Sequence, residues 1–291
     1  MATLERRRPE NISGKFFVDD TCIDCDVCRG LAPETFMAAG GQSAVYAQPK
    51  TPEEHHQALI ALTACPTASI GTEKPDPDLS RVRSEFPIPV DPSAEVLYCG
   101  YHSQKSFGAA SYFLPHRRGN ILVDCPREAS PLIKRFQELG GISRMMLTHG
   151  DDVADHKAYH ERFECERWIH KEDRDSLPSA EHVFEDSEAF ALDEEFLVIP
   201  VPGHTRGSCC FLYRNKYLFT GDHLAYSPRR GHLYAFRDAC WYSWKKQTES
   251  MERLLDYSFE WVLPGHGRRL HLPALEMRQN LEKCVTWMKN R

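Results

Sequence analysis

Four cysteines in the first quarter of the chain restrict its fold more than any other feature. Cys22, Cys25 and Cys28 are each separated by two residues, and Cys65, followed by Pro66, lies far downstream. Three thiolates at this spacing can bind one face of an iron–sulfur cubane, and the fourth ligand must then come from a distant segment. All three local positions are cysteine and the triplet occurs once, so we expect one [4Fe–4S] cluster. The alternative is a zinc site, although zinc ribbons usually have two Cys-x2-Cys pairs.

The residues around these cysteines resemble those of one-cluster bacterial-type ferredoxins. The segment CIDCDVCRGLAPETF contains the first three cysteines, and ACPTASI contains the fourth. The resemblance implies a ferredoxin-like domain over residues 1–72. The other seven cysteines are scattered among strand-like and helical segments, and we expect small buried hydrophobic residues there. They are Cys99, Cys125, Cys165, Cys209, Cys210, Cys240 and Cys284.

A proline-rich stretch separates the cysteine-rich segment from the rest of the chain. Residues 71–93 contain five prolines and little periodicity, which predicts an extended linker over about 73–94. From about residue 95 onward, strand-like and helix-like segments alternate, and several strands end in a small group of Gly, His or Asp. This order predicts an α/β (α+β) body in layers over residues 95–291.

Composition and charge make some partners unexpected. The formal net charge is −6 and the isoelectric point is near 6.2, so we expect neither nucleic acid nor an anionic membrane as a partner. No apolar run approaches the roughly 20 residues that span a bilayer. The first residues lack the apolar core of a secretory signal. We therefore expect a soluble protein of the cytoplasm, or of the plastid stroma where a transit peptide has been removed.

Histidines and aspartates form four short segments in the second part, each at the predicted end of a strand. The segments are residues 148–156 (THGDDVADH), 202–205 (PGHT), 220–223 (TGDH) and 263–267 (LPGHG). Imidazoles and carboxylates that several strands bring to one edge suit a dinuclear metal site, because a carboxylate between two ions can bridge them. The sequence therefore predicts a second metal site in this part of the chain.

The order of these segments resembles the metallo-β-lactamase fold over roughly residues 95–291. The LVDCP segment with Asp124 is similar to the family's early strand that ends in aspartate, and PGHTRGS is similar to its third metal-binding motif. TGD is similar to its bridging aspartate, and LPGHG to its last histidine. The resemblance implies a four-layer αββα fold with His149, His204, Asp222 and His266 as metal ligands.

The first motif departs from the family's His-x-His-x-Asp-His pattern. Asp151 stands where the second histidine is expected, and the pair Asp155–His156 comes two residues late. In one alignment, which we favour, Asp151 replaces that histidine and a two-residue insertion still lets Asp155 and His156 reach the metals. In the other alignment the chain keeps register, so that Val153 and Ala154 occupy the Asp-His positions and the second ion loses ligands.

The favoured alignment gives a complete ligand set and one catalytic residue, Asp155. The predicted metal ligands are His149, Asp151, Asp155, His156, His204, Asp222 and His266. This set is richer in carboxylate than that of a usual zinc hydrolase, and hard oxygen ligands favour iron or manganese. We expect residues 152–156 to begin a helix, with Asp152 as its N-cap.

Three functions are compatible with these motifs. The first is an oxidoreductase, in which the ferredoxin domain takes electrons from a redox partner protein and passes them singly to a dinuclear site, expected to hold iron, that acts on O2 or a small-molecule substrate. The second is a metal-dependent hydrolase, such as a thioesterase or a glyoxalase II-like enzyme, with a structural or regulatory cluster, a zinc or manganese site and Asp155 orienting the water. The third is a redox sensor with a degenerate metal site.

An aromatic stretch lies between the third and fourth of the metal-binding segments. In the metallo-β-lactamase fold this region often covers the site, so the stretch could contact an apolar or aromatic substrate. Its alternative role is core packing under a long loop. The residues are Tyr226, Tyr234, Phe236, Trp241, Tyr242 and Trp244.

Overall fold

The computed structural model of the protein describes residues 2–291, in which the chain forms two compact units. The first unit consists of the residues up to 120 together with 126–142 and 154–163. The second unit consists of residues 121–125, 143–153 and 164–291. No helix in residues 2–291 is long and apolar enough to cross a bilayer.

Within residues 2–291, the first unit contains five α-helices and seven strands. The helices are α1 (Val27–Leu31), α2 (Pro52–Ala64), α3 (Leu79–Glu85), α4 (Ser130–Glu138) and α5 (His156–Phe163). The strands are β1 (Phe16–Val18), β2 (Phe36–Ala39), β3 (Gln42–Val45), β4 (Ile70–Thr72), β5 (Ile88–Pro89), β6 (Leu97–Tyr98) and β7 (Tyr112–Leu114).

The second unit contains the remaining strands and, within residues 2–291, two α-helices. The strands are β8 (Ile121–Val123), β9 (Arg144–Met146), β10 (Glu166–His170), β11 (His182–Phe184), β12 (Phe190–Ala191), β13 (Phe196–Pro200), β14 (Cys209–Tyr213), β15 (Tyr217–Gly221), β16 (Ala225–Ser227), β17 (His232–Tyr234), β18 (Trp261–Pro264) and β19 (Leu270–His271). The helices are α6 (Trp244–Arg253) and α7 (Ala274–Lys289).

The cysteine-rich segment has a small core of its own. Strand β1 pairs antiparallel with β4, and helix α2 packs its apolar face on them. Helix α2 begins where the Thr51 hydroxyl accepts a hydrogen bond from the backbone N–H of Glu54, and Pro52 occupies the first helical position. Phe16, Val18 and residues of α2 are buried in this core. The pairing of β1 with β4 thereby places the loop with the first three cysteines beside Cys65.

The structure overturns the extended linker expected over residues 73–94. This segment contains helix α3, and Val82 on that helix is fully buried in the same core as Phe16. Strand β5 follows and pairs antiparallel with β6. The prolines misled the sequence analysis because they flank the helix without interrupting it. The predicted domain limits at residues 72 and 95 remain predictions.

The sheets of the second unit bring the ends of several strands to common edges. Strands β8 and β9 are parallel, as are β9 and β10 and then β10 and β11. In the six-stranded sheet, β13 and β15 both run antiparallel to β14, and β15 runs parallel to β18. The carboxyl ends of β13, β15 and β18 therefore meet at one edge. Histidine and aspartate segments follow all three of these ends.

A large apolar core supports this edge. Helices α6 and α7 pack against the six-stranded sheet through buried residues that include Met251, Met277 and Leu281. Ser243 caps the start of helix α6, where its hydroxyl accepts a hydrogen bond from the Lys246 backbone N–H. The mixed α/β class predicted from the sequence is confirmed.

Replacing Val82 by alanine tests whether residues 73–94 are folded. The change removes two buried methyl groups and should destabilise the packing of α3 by about 2 kcal/mol. We expect trypsin to cleave after Arg81 and Arg83 about 30-fold faster in this variant, because cleavage follows the population of the opened helix.

The matched control is Ser84→Ala, an exposed position on the same helix, which should leave the cleavage rate unchanged. Rapid and equal cleavage of the wild type and the Val82→Ala variant would instead indicate an extended linker.

Candidate metal centres

The four cysteines of the predicted cluster lie around one small cavity in the first unit. Cys22 and Cys25 lie in the loop before α1, Cys28 lies on α1, and Cys65 follows the last residue of α2. The cavity walls are otherwise mostly apolar and are completed by Val18, Ile23, Val27, Ser43, Pro66, Thr67, Ser69 and Ile70. The spacing thus brings all four sulfurs to one place, as the sequence predicted.

The chemistry of this cavity fits an iron–sulfur cluster. None of the cysteines in residues 2–291 forms a disulfide. Burial raises the pKa of Cys25 and of Cys28 to about 12, so buried thiolates here need a bound cationic group. The backbone N–H groups of Ser43 and Ser69 point at Cys22 Sγ (3.4 Å) and Cys65 Sγ (3.3 Å). Such donors stabilise charge on cluster sulfurs.

A loop from the segment after β6 packs closely on this cavity within the first unit. A Cβ atom added to Gly108 would lie 2.9 Å from Cys25 Cβ and 3.2 Å from Cys25 Sγ. Gly108 has a φ of +90°, and its carbonyl oxygen is hydrogen-bonded by the His102 ring, which in turn contacts the Tyr98 hydroxyl. Glycine is therefore required at position 108 by both backbone conformation and space.

Histidines and aspartates of the second unit form two overlapping groups of potential metal ligands. In the first group, ligand atoms of His149, His204 and Asp222 all lie within 4.8 Å of one another. In the second group, the same holds for Asp152, Asp222 and His266. Asp222 belongs to both groups, so its carboxylate is placed to bridge two ions.

The Asp222 carboxylate is surrounded by imidazoles. His266 Nδ1 lies 2.8 Å from Asp222 Oδ1, and Asp222 Oδ2 lies 3.9 Å from His149 Nε2 and 3.8 Å from His204 Nε2. Burial alone would raise the pKa of Asp222, but His266 and the other two imidazoles outweigh it and hold that pKa below its usual range. The carboxylate is thus kept ionised, as a bridging ligand must be.

Burial shifts the pKa values of two other site residues toward their neutral forms. Burial lowers the pKa of His149 to about 4, so its imidazole is neutral and able to bind a metal. Burial, reinforced by the nearby Asp222 and Asp124 carboxylates, raises the pKa of Asp152 well above its usual value. Two carboxylates this close and this buried repel each other without a cation.

Unsatisfied polar atoms indicate that the site suits metal ions. His149 Nε2 and both carboxylate oxygens of Asp152 are buried and have no hydrogen-bond partner among residues 2–291. Buried polar atoms without partners are rare in native proteins and require an explanation. Three imidazoles and at least two carboxylates that converge in this way fit a dinuclear centre.

Asp151 lies beside the first ligand group, where the sequence analysis expected it. Its Oδ2 atom is 3.4 Å from His204 Nε2 and 3.9 Å from His149 Nε2, and it accepts a hydrogen bond from Trp241 Nε1 at 3.0 Å. The side chain is half exposed. Hydrogen bonding to His204 and the charge of the nearby imidazoles lower the pKa of Asp151, while burial opposes them.

Asp152 is the site residue that sequence reasoning missed. It was expected to cap a helix over residues 152–156, but α5 begins only at His156, and Asp152 ends a 3-10 turn, Gly150–Asp152. The turn directs Asp152 inward, where its side chain is 1% exposed. The two adjacent aspartates in THGDD were the available signal, because a tight turn sends neighbouring side chains in different directions.

The Asp155 carboxylate accepts hydrogen bonds from two residues of the first unit. Its Oδ1 atom accepts a hydrogen bond from Lys105 Nζ at 2.5 Å, and its Oδ2 atom accepts one from the Glu128 backbone N–H at 2.8 Å. Both oxygens thus accept hydrogen bonds within the first unit, and the roles predicted for Asp155, as metal ligand and catalytic residue, remain predictions. His156 also belongs to the first unit, as the first residue of α5, and its ligand role remains a prediction.

Asp173 connects two of the loops that carry ligands. Its Oδ2 atom accepts hydrogen bonds from the Gly150 backbone N–H (2.9 Å) and from the Thr205 hydroxyl (2.6 Å), and its Oδ1 atom accepts one from the Gly207 N–H (2.9 Å). It lies in the 3-10 helix Lys171–Ser176 after β10. No nearby sequence motif marked it, since it acts only through backbone and hydroxyl donors.

A second buried carboxylate supports the loop that begins at Thr148. Asp124, the residue after β8, accepts hydrogen bonds from both the backbone N–H (2.8 Å) and the hydroxyl of Thr148. Burial raises the pKa of Asp124 to about 7 in spite of these bonds. Asp124 therefore holds Thr148, and through the chain His149, and it belongs to neither ligand group.

Comparisons with known proteins find relatives for two parts of the chain. Residues 18–72 match the 4Fe-4S single cluster domain of ferredoxin I. The chain is 36% identical over 97 residues to the uncharacterized protein YobT of Bacillus subtilis strain 168, a stretch that covers 30% of this chain and 41% of YobT. It is 30% identical over 122 residues to a hydroxyacylglutathione hydrolase of Pelagibacter ubique strain HTCC1062, covering 39% of this chain and 50% of that protein. The chain thus spans half or less of the length of these relatives.

A solved structure shows the fold of the larger part. The DIM-1 metallo-β-lactamase exposed to ceftazidime aligns with a TM-score of 0.51 at 17% identity, covering 67% of this chain and 94% of that chain. This likeness confirms the metallo-β-lactamase fold that the sequence resemblance implied, and at this identity it concerns the fold alone.

Replacing Gly108 by alanine should weaken cluster binding. The new Cβ would press on Cys25, which cannot move without displacing its sulfur from the cavity. We expect the variant to lose its visible cluster absorbance in air several-fold faster than the wild type.

Gly41→Ala is the matched control. Gly41 also has positive φ (+74°), but nothing lies within 4 Å of its added Cβ. Both variants therefore share the backbone strain, and equal rates of cluster loss in the two would contradict the packing of Gly108 on Cys25.

The variant Asp173→Asn tests the bridge between the ligand loops. An amide cannot accept all three hydrogen bonds, so the loops after His149 and His204 should loosen. We expect metal affinity at the second site to fall about 10- to 100-fold, measured by competition with a chromophoric chelator, while the cluster content stays unchanged. Asp175→Asn, an exposed position on the same 3-10 helix, is the control. Equal affinities in both variants would refute the positioning role.

Proposed function

We propose that this chain, which joins a single-cluster ferredoxin domain to a metallo-β-lactamase fold, is an oxidoreductase with a dinuclear site that contains iron. In this proposal a redox partner protein delivers electrons to the cluster, and the cluster passes them singly to the dinuclear site. The substrate acted on there is O2 or a small organic molecule. The localisation expected from the sequence, cytoplasm or plastid stroma, is part of the same proposal.

The observation that carries the proposal is the balance of donors at the dinuclear site. Three aspartates (Asp151, Asp152 and Asp222) converge with three histidines (His149, His204 and His266). Carboxylate oxygens favour iron and manganese over zinc, compared with a site dominated by imidazole. A carboxylate-rich site in the same chain as a one-electron carrier supports redox chemistry.

The residues of the site would divide the work in a definite way. Asp222 would bridge the ions, His149, His204 and Asp151 would bind the first ion, and Asp152 and His266 would bind the second. Iron ions held there would supply Lewis acidity and a change of oxidation state. Because the cluster transfers one electron at a time, the partner protein must reload it for each further electron that a substrate needs.

A second candidate, a metal-dependent hydrolase, is favoured by the relatives. Hydroxyacylglutathione hydrolases match part of the chain at 30–36% identity. In this case the same ligands would activate water for attack on a thioester, and the cluster would be structural or regulatory. Asp155, the residue first expected to orient that water, is bonded to Lys105 and the Glu128 backbone N–H, so Asp151 or Asp152 is the better candidate for that task.

Reaction with O2 tests the oxidoreductase proposal. The iron-loaded protein is reduced without oxygen, mixed rapidly with O2, and followed by the cluster absorbance. We expect reoxidation of the wild type to be at least tenfold faster than that of Asp222→Asn, which keeps all four cluster cysteines but lacks the bridging carboxylate.

Equal reoxidation rates would mean that the cluster reacts with O2 directly. They would overturn the proposal that the dinuclear site reduces O2. Hydrolysis of S-D-lactoylglutathione, assayed on the same preparations, separates the second candidate. A hydrolase should lose this activity in Asp222→Asn and keep it in Cys25→Ser, which lacks one cluster ligand.

A further inference from the structure

The indole of Trp241 is unusually placed for so large an apolar side chain. It is 65% exposed, which is rare for tryptophan. Its backbone is nevertheless fixed to the loop that carries His204. The N–H groups of Trp241 and Tyr242 both donate to the His204 carbonyl oxygen (2.9 and 3.0 Å), and the Ser243 N–H donates to the Gly203 carbonyl oxygen.

The indole N–H is directed at Asp151, the carboxylate beside the first ligand group. Trp241 Nε1 donates to Asp151 Oδ2 at 3.0 Å, the same oxygen that lies 3.4 Å from His204 Nε2. The Trp241 ring centroid is 6.2 Å from that of the His204 imidazole. The Trp241 side chain therefore contacts Asp151, the carboxylate that replaces an expected histidine. The Trp241 backbone N–H is bonded to a second ligand residue, His204.

Asp151 needs such a partner more than the other ligands do. Its side chain is half exposed, whereas those of His149, His204 and Asp222 are buried and confined by packing. A carboxylate in a short turn at the surface can rotate, and it can bind a metal through one oxygen or two. A hydrogen bond to one of its oxygens restricts both choices.

We propose that Trp241 is a positioning residue that orients Asp151 toward the ion held by His149 and His204. Indole is a donor only, so Trp241 cannot itself bind the metal. Its effect must pass through Asp151 Oδ2, which also lies 3.4 Å from His204 Nε2, because a carboxylate oxygen that accepts one hydrogen bond still has a lone pair for the ion. The inference rests on the proposed dinuclear site, but it is independent of the reaction that the site performs.

The neighbouring aromatic residue provides a matched comparison. Tyr242 is also exposed, and its ring lies under the Arg206 guanidinium, whose carbon is 4.9 Å from the ring centroid. Trp241→Phe keeps a flat ring and removes the N–H donor. Tyr242→Phe keeps its ring and removes only a hydroxyl group.

The test is the affinity for Mn2+, measured by equilibrium competition on full-length protein with its cluster intact. Trp241→Phe should weaken binding of one of the two ions about 10- to 100-fold, and Tyr242→Phe should change it less than twofold. The double variant Trp241→Phe/Asp151→Ala should bind no more weakly than Asp151→Ala alone, because Trp241 acts through that carboxylate.

Unchanged affinity in Trp241→Phe would overturn the proposal, and so would effects that simply add in the double variant. The ring would then serve another purpose, such as contact with a substrate. If the predicted affinities hold while reduced protein fails to react with O2, the proposed function fails and the role of Trp241 stands.

Discussion

One buried carboxylate, that of Asp222, is the interaction on which the metal site depends. It lies between His266 on one side and His149 and His204 on the other, and it is common to both ligand groups. It is kept ionised by these imidazoles in spite of burial. Burial, reinforced by the nearby Asp222 carboxylate, raises the pKa of Asp152, so both carboxylates can be ionised together only with cations beside them.

The rest of the second unit holds the partners of Asp222 in place. Parallel pairing of β15 with β18 brings the residues after these strands, Asp222 and His266, to one edge. Asp124 fixes the start of the His149 loop through Thr148, and Asp173 ties that loop to the one containing His204. Such supporting hydrogen bonds are what keep metal ligands oriented.

The ligands that belong to sequence motifs could be predicted from the sequence. Features that depend on the local backbone conformation, such as the direction of Asp152, could not. The Cys-x2-Cys-x2-Cys triplet and the His and Asp residues at strand ends were sufficient for the cluster and for most of the second site. Asp152 was missed because its inward direction depends on a 3-10 turn, which competes with the helix that the sequence favours. Helix α3 was missed because local proline content outweighed the single buried residue, Val82, that anchors it.

The proposed function requires two chemically different iron sites in one chain. The Mössbauer spectrum of protein grown on 57Fe and purified without oxygen tests it most directly. We expect the signal of a [4Fe–4S] cluster and a second, high-spin component from oxygen- and nitrogen-bound iron, with areas in a ratio of about four to two. A spectrum that contains only cluster iron, with zinc bound at the site around Asp222, would contradict the account.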